Sequence, residues 1–338
     1  MAALWGLGSV MGAPRRQRCQ VIGGIWVLVL VLLMVLPKTH PLRDFLGGEA
    51  RVWVVLTGVA AVVAGYFMAI KRLKENRKPA VVVAVSAAFQ PAELDRYARH
   101  IMLREIGGPG QKRLKAAKVL VIGAGGLGSP ALLYLAAAGV GCIGVVDDDI
   151  VDASNLQRQI IHTDQRIGVP KVQSAQVAVK ALNPYVTLRP HQRRLSEENA
   201  ADLLADYDLI LDGSDNFDTR YLVNRVAARM SKPLISAAIT QWEGQISFYD
   251  PAHGTPCYEC VFPHRPASGI VPTCAEAGVA AALPGVIGSM MAMEAIKHIC
   301  EAGEGLKGRL LIHDALYAET RVISIKRRDD CAVCGTST

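Results

Sequence analysis

A short apolar run, Lys118-Val-Leu-Val-Ile122, passes directly into Gly123-Ala-Gly-Gly-Leu-Gly128, and Leu127 to Ala138 then reads as a helix. The order strand, glycine turn, helix constrains this chain more than any other feature. Glycine permits the tight turn and lets backbone N–H groups at a helix start approach an anionic ligand. A second apolar run, Cys142 to Val146, ends at Asp147, nineteen residues after Gly128. A carboxylate at that place can accept a ribose hydroxyl. The pattern specifies a nucleotide and leaves its identity open, since NAD and ATP both fit.

The alternation continues. A helix is predicted at Glu93 to Glu105 and another near Val172 to Leu182. Strands are predicted at Val186 to Leu188 and Leu209 to Leu211, then a helix at Asn216 to Met230 and a strand at Leu234 to Ala238. Apolar strands alternating with helices predict a mainly parallel α/β sheet of Rossmann type, covered on both faces. After Trp242 the texture changes. Gln245 to Tyr249 alternates and reads as antiparallel, Ile287 to Cys300 as a helix, and Arg309 to Ile312 and Arg321 to Ile325 as closing strands. The stripe Met290, Met291, Met293 at helical spacing is expected to be core.

Three further groups separate the two nucleotides. Ser154-Asn155-Leu156-Gln157-Arg158-Gln159 follows the second strand, Lys171 opens the next helix, and Asp215-Asn216 follows the fourth strand. Ligands in such folds bind outside the carboxyl ends of the strands. Hydride transfer needs no Arg, Lys and extra Asp converging there, whereas nucleotidyl transfer does. Arg158 and Lys171 can neutralise triphosphate charge, and Asp215 can hold a magnesium ion. Singly these residues read as solvated surface, so the argument rests on their co-occurrence.

Cys257-x-x-Cys260 and Cys331-x-x-Cys334 are two knuckles some seventy residues apart. Four thiolates so arranged suit a closed, tetrahedral structural zinc site that pins the C-terminal tail to the middle of the domain. A pair of redox motifs is the alternative. Cys142 and Cys300 sit in apolar runs and read as buried.

The first part of the chain has a different character. Val21 to Leu36 and Val52 to Ile70 are apolar, spanning roughly 24 and 28 Å as helices against a bilayer core of about 30 Å. Basic residues flank them, with Arg15, Arg16 and Arg18 before and Lys71, Arg72, Lys74, Arg77 and Lys78 after. A two-helix transmembrane hairpin over about 21–36 and 52–70 is therefore expected, with both ends cytoplasmic. This gives a membrane anchor at 1–78, a linker at 79–92 and a cytoplasmic enzyme domain at 93–338. The expected location is the inner (cytoplasmic) membrane, as a multi-pass protein. A secretory signal peptide is the alternative for the first run, but no small-x-small cleavage pattern follows Leu36. Net charge is +7 over the whole chain. Residues 1–80 hold eleven Lys/Arg and three Asp/Glu, so the remainder is close to neutral. The basic excess belongs to the anchor, and nucleic acid is not an expected partner.

Taken together, Arg96-Tyr97-x-Arg99, the Gly-x-Gly-Gly-x-Gly turn, Asp147-x-Asp149, Ser-Asn-Leu-Gln-Arg-Gln, Lys171 and Asp215-Asn216 resemble the ubiquitin-activating-enzyme-like adenylyltransferases, the MoeB/ThiF/HesA family. The nearest pattern is that of the molybdopterin-synthase adenylyltransferases and their thiamine-pathway relatives. The resemblance covers roughly residues 93–338. It implies ATP-dependent adenylation of the C-terminal glycine carboxylate of a ubiquitin-like sulfur-carrier protein, with release of pyrophosphate. By this resemblance Gly126, Asp147 and Asp149 belong to the ATP site. Ser154, Asn155, Leu156, Gln157, Arg158 and Lys171 hold phosphates, and Asp215 and Asn216 position Mg2+ and the α-phosphate. Arg99 reaches the partner's triphosphate in a homodimer, and His100 stands where the family often has Gln. The resemblance agrees with structural Zn2+ on Cys257, Cys260, Cys331 and Cys334. Cys274 follows a Gly/Pro-rich stretch, at the place where thioester- or persulfide-forming relatives carry their working cysteine. Sulfur is expected from a separate donor.

Overall fold

The computed structural model describes residues 15–37, 40–41, parts of 54–69, 89–266 and 277–335. The chain divides into two compact units, Met1–Val83 and Ala84–Thr338.

In the first unit, α1 (Arg15–Val35) carries the first apolar run. Its opening six residues are Arg-Arg-Gln-Arg-Cys-Gln. The apolar remainder from Val21 to Val35 is about 22 Å long at 1.5 Å per residue, well short of a bilayer core. The second run, 52–70, lies partly outside the described residues. Trp26 Nε1 donates to Thr57 Oγ1 at 2.9 Å, joining the two runs. Among the described residues no helix is long and apolar enough to cross a membrane. That finding overturns the expected transmembrane hairpin and the multi-pass inner-membrane location.

The second unit is built on an eight-stranded sheet ordered β3-β2-β1-β4-β5-β6-β7-β8. Its elements in chain order are α2 (Pro91–Ile101), α3 (Gly107–Ala116), β1 (Lys118–Ile122), α4 (Gly128–Ala138), β2 (Cys142–Val146), α5 (Lys171–Leu182), β3 (Thr187–His191), α6 (Ala200–Ala205), β4 (Leu209–Asp212), α7 (Phe217–Arg229), β5 (Leu234–Thr240), β6 (Glu243–Tyr249), α8 (Tyr258–Val261), α9 (Leu283–Cys300), β7 (Arg309–Asp314) and β8 (Glu319–Ser324). Strands β3, β2, β1, β4 and β5 are parallel, and β5 through β8 are antiparallel. The Rossmann-like mainly parallel sheet with antiparallel C-terminal strands is as expected.

The strand sequences explain the layers. All of β2 and β4 is buried, as is all of β1 after Lys118. Such strands are covered on both faces, so they read as continuous apolar runs. Within β1, Val119 and Val121 join one core cluster with Leu132, Leu135 and Ile287, while Leu120 and Ile122 join another with Leu204, Ile210 and Val223. Met291 is fully buried and Met290 packs against the core, but Met293 is exposed. Three helices, α3, α6 and α8, are absent from the sequence reading. Helix α3 contains three glycines and a proline, poor helix formers, yet Gly110 and Leu114 pack it under α9. Tertiary burial there overrides local propensity.

The strand order creates one switch point. From β1 the chain moves outward to β2 and β3, then returns to β4 on the other side of β1. Ile122 and Asp212, the last residues of β1 and β4, are register partners, so the two following loops leave the sheet side by side. Gly123 has φ +90, a left-handed conformation that L side chains rarely adopt. A Cβ on Gly128 would overlap the Gly123 carbonyl. Gly128→Ala is therefore expected to destabilise the domain by on the order of 3 kcal/mol, read from the midpoint of denaturant unfolding.

Candidate active site

The glycine turn and the loop after β4 touch. Gly123 N–H donates to Val146 O at 2.8 Å and Gly213 N–H to Ile122 O at 3.0 Å. A Cβ placed on Gly123 would lie 3.1 Å from Gly213 O. The end of β2 is tied in as well. Asp147 Oδ2 accepts from Ala124 N–H at 2.8 Å, and Oδ1 accepts from Asp149 N–H at 2.9 Å. Burial pushes the Asp147 carboxyl above the usual carboxylate range, with nearby Lys171 and the two backbone donors opposing the shift.

Lys171 opens α5, and its position is set by Asp149. The Asp149 carbonyl accepts from Lys171 N–H at 2.9 Å, and Asp149 Oδ2 accepts from Lys171 Nζ at 2.8 Å. The lysine side chain is only 6% exposed and its partner carboxylate 66%, so the ammonium sits inside the edge of the crevice. Arg158 lies against the glycine turn, its Cγ 3.7 Å from a Cβ built on Gly126. Asn155 Oδ1 accepts from Arg158 Nη2 at 2.8 Å and holds the guanidinium. Ser154 is turned toward Asp152, donating from both N–H and Oγ to Asp152 Oδ1. Leu156 is half-buried and Gln157 exposed.

Asp215 is presented by a loop with little freedom. Asp212 is fully buried. Its Oδ1 accepts from Ser214 N–H at 3.0 Å and Ser214 Oγ at 2.6 Å, and its Oδ2 from Ser236 Oγ at 2.9 Å. Arg220, also buried, donates from Nη2 to Ser214 O at 2.6 Å and from Nη1 to Ala237 O at 2.9 Å. Its Nη1 lies 3.8 Å from Asp212 Oδ2. Ser214, which precedes Asp215, is thus held at its N–H, its hydroxyl and its carbonyl. Asn216 is the N-cap of α7, its Oδ1 accepting from Thr219 N–H at 2.9 Å. Asp215 itself is exposed and makes no hydrogen bond or ion pair among the described residues.

The structure thus brings Gly126, Asp147, Asp149, Asn155, Arg158, Lys171 and Asp215 to one edge of the sheet. Arg99 is on the exposed side of α2, and Cys274 lies outside the described residues. Sequence reasoning missed Asp212, Arg220, Gln159 and His162. The first two form a buried ion pair whose members are eight residues apart, on a strand and on the helix after it. Gln159 is buried, its Oε1 without a partner among the described residues, beside Gly125. Its place in the Ser-Asn-Leu-Gln-Arg-Gln string was the available signal.

Away from this edge, Cys257, Cys260, Cys331 and Cys334 form a four-sulfur cluster. Sulfur separations are 3.4 Å for Cys260–Cys334, 3.6 Å for Cys257–Cys331 and 3.9 Å for Cys257–Cys260. A tetrahedral ion with bonds of about 2.3 Å needs sulfurs about 3.8 Å apart, so the donor set fits. Burial pushes the Cys257 thiol up, and that of Cys334 to about 11. A bound cation would favour the thiolate form of these sulfurs against that burial.

Fold and site define an α/β protein of Rossmann type with Arg158, Lys171 and the exposed carboxylate of Asp215 at the switch point of its sheet. The ThiF family model matches residues 97–333. A sulfur carrier protein adenylyltransferase of Thermus thermophilus is 51% identical over 247 residues, covering 72% of this chain and 91% of that protein. The SAMP-activating enzyme E1 of Haloferax volcanii is 45% identical over 251 residues, covering 74% and 92%. The solved structure of E. coli MccB with ATP superposes with a TM-score of 0.63 at 22% identity, over 71% of this chain and 74% of that one, a likeness of fold. The chain belongs to the ThiF family.

Removing the guanidinium at 220 would strand the Asp212 charge in the interior. Arg220→Met is expected to cost about 3–5 kcal/mol, measured by chemical denaturation.

Proposed function

We propose that this crevice binds ATP and adenylates the C-terminal glycine carboxylate of a ubiquitin-like sulfur-carrier protein. The observation that carries the reading is Asp215, a carboxylate with no partner among the described residues, on a loop held by Asp212 and Arg220 at the same sheet edge as the glycine turn and two placed cations. The names of the relatives, adenylyltransferase and activating enzyme, agree with it.

The glycine turn through Gly126 takes the adenosine end, and Asp147 accepts a ribose hydroxyl with the lone pairs its backbone donors leave free. Asp149 orients Lys171. Ser154, Asn155, Leu156 and Gln157 form the phosphate-facing segment, with Arg158 projecting from it. A carboxylate oxygen of the carrier attacks the α-phosphorus. The bond from that phosphorus to the bridging oxygen breaks, pyrophosphate leaves with the electron pair, and the carrier keeps AMP as an acyl-adenylate. No protein nucleophile is required, because orientation and charge neutralisation by Arg158 and Lys171 carry the step. Magnesium, when bound, adds charge neutralisation across the phosphates. Asp215 offers the hard oxygen donor it favours, with Asn216 alongside. Arg99, exposed on α2, serves the triphosphate of a second copy in a homodimer. Cys274 takes a later thioester or persulfide role, with sulfur from a separate donor. The four-cysteine cluster holds structural zinc, away from the chemistry.

Asp215→Ala is expected to lower carrier-dependent ATP–pyrophosphate exchange by about 100-fold or more, and exchange at the wild-type rate would overturn this assignment. Stripping metal with a strong chelator is expected to release about one zinc per chain and to lower the thermal midpoint. Metal analysis alongside calorimetry checks both, and an unchanged midpoint would exclude a structural ion.

A further inference from the structure

His162 is buried beneath the glycine turn and has no part in the chemistry above. Its Nε2 lies 2.9 Å from the carbonyl oxygen of Ala124, and its Nδ1 lies 2.9 Å from Ser174 Oγ. A carbonyl only accepts, so Nε2 carries the proton. In the neutral ring Nδ1 then accepts from the Ser174 hydroxyl. Burial holds this histidine below its usual range, with Lys171 and Arg166 pushing the same way and the Ala124 bond opposing them. Arg166 Nη1 braces the far side, donating to Ser174 O at 3.0 Å.

Both polar groups of Ala124 are therefore committed, its N–H to Asp147 and its carbonyl to His162. In a trans peptide the carbonyl and the following N–H point in opposite directions. Fixing the Ala124 carbonyl toward His162 turns the Gly125 N–H the other way. That N–H has no acceptor among the described residues. Ser174 lies on α5, one turn after Lys171. The imidazole thus bridges the turn that faces the ligand and the helix that supplies a cation.

We propose that His162 is a positioning residue that locks the glycine turn in the orientation that receives ATP and couples this turn to the helix bearing Lys171. The proposal rests on the ATP-binding reading given above. Glutamine can place its amide N–H where Nε2 stands and keep the bond to Ala124. Asparagine reaches only the Nδ1 position, and alanine reaches neither.

The test is calorimetric titration of the full chain and of His162→Gln, His162→Asn and His162→Ala with ATP, thermal unfolding being recorded for each. Loss of one fixed hydrogen bond predicts about tenfold weaker ATP binding in the Asn and Ala variants. The Gln variant is expected to stay within about twofold of wild type. If the Ala variant does not fold, the Gln–Asn comparison decides. Equal affinity in all folded variants, or a Gln variant as weak as Asn, would overturn the proposal. A wild-type chain that binds no ATP overturns both readings. One that binds ATP but catalyses no pyrophosphate exchange overturns only the adenylation reading.

Discussion

Two loops can reach the same ligand here because their backbones are allowed to touch. Where β1 and β4 end as register partners, the carbonyl of Gly213 packs against Gly123, and Gly128 closes the turn from the other side. Any side chain at Gly128 would drive the two arms of the turn apart and move the start of α4. The crevice, the helix start and the path to Asp215 all follow from that contact. Backbone packing of this kind is nearly incompressible, because interiors are filled to crystal-like density.

On this frame, charge is handled in two different ways. Asp212 and Arg220 are buried together, and their remaining hydrogen-bonding capacity goes to Ser214, Ser236 and the carbonyl of Ala237. A pair so enclosed contributes little net stability, but it fixes geometry, because breaking it leaves a charge stranded. Asp215, three residues beyond Asp212, is exposed and has no partner among the described residues. The buried pair orients the exposed acid. Lys171 and Asp149 repeat the scheme at the mouth of the crevice, with the cation sheltered and the anion largely solvated.

The four-cysteine cluster does comparable work farther out. It joins the segment around α8 to the residues beyond β8. Asn224 of α7 reaches it, with Nδ2 3.8 Å from Cys257 Sγ and Oδ1 accepting from Tyr258 N–H at 2.8 Å. The Tyr258 ring lies 5.8 Å from the Arg220 guanidinium. The knuckle and the Asp215 loop therefore share a packed connection through α7.

The sequence by itself determined the sheet's parallel half, the glycine turn and the thiol quartet. Each is written in local order: apolar runs of strand length, glycines at fixed offsets and paired Cys-x-x-Cys spacings. It also carried the string from Ser154 to Arg158, since those residues are contiguous. It misjudged the apolar N-terminal runs, where hydropathy alone suggested a spanning hairpin and the apolar part of α1 proved too short. Helix α3 was invisible because its stability comes from packing under α9 and not from its own residues. Only the tertiary structure decided that Asp212 belongs to Arg220, that Ala124 lies between Asp147 and His162, and that Asp215 is exposed with no partner among the described residues. Those facts depend on which side chains meet after strands return to the sheet out of chain order, and no spacing along the chain records such meetings.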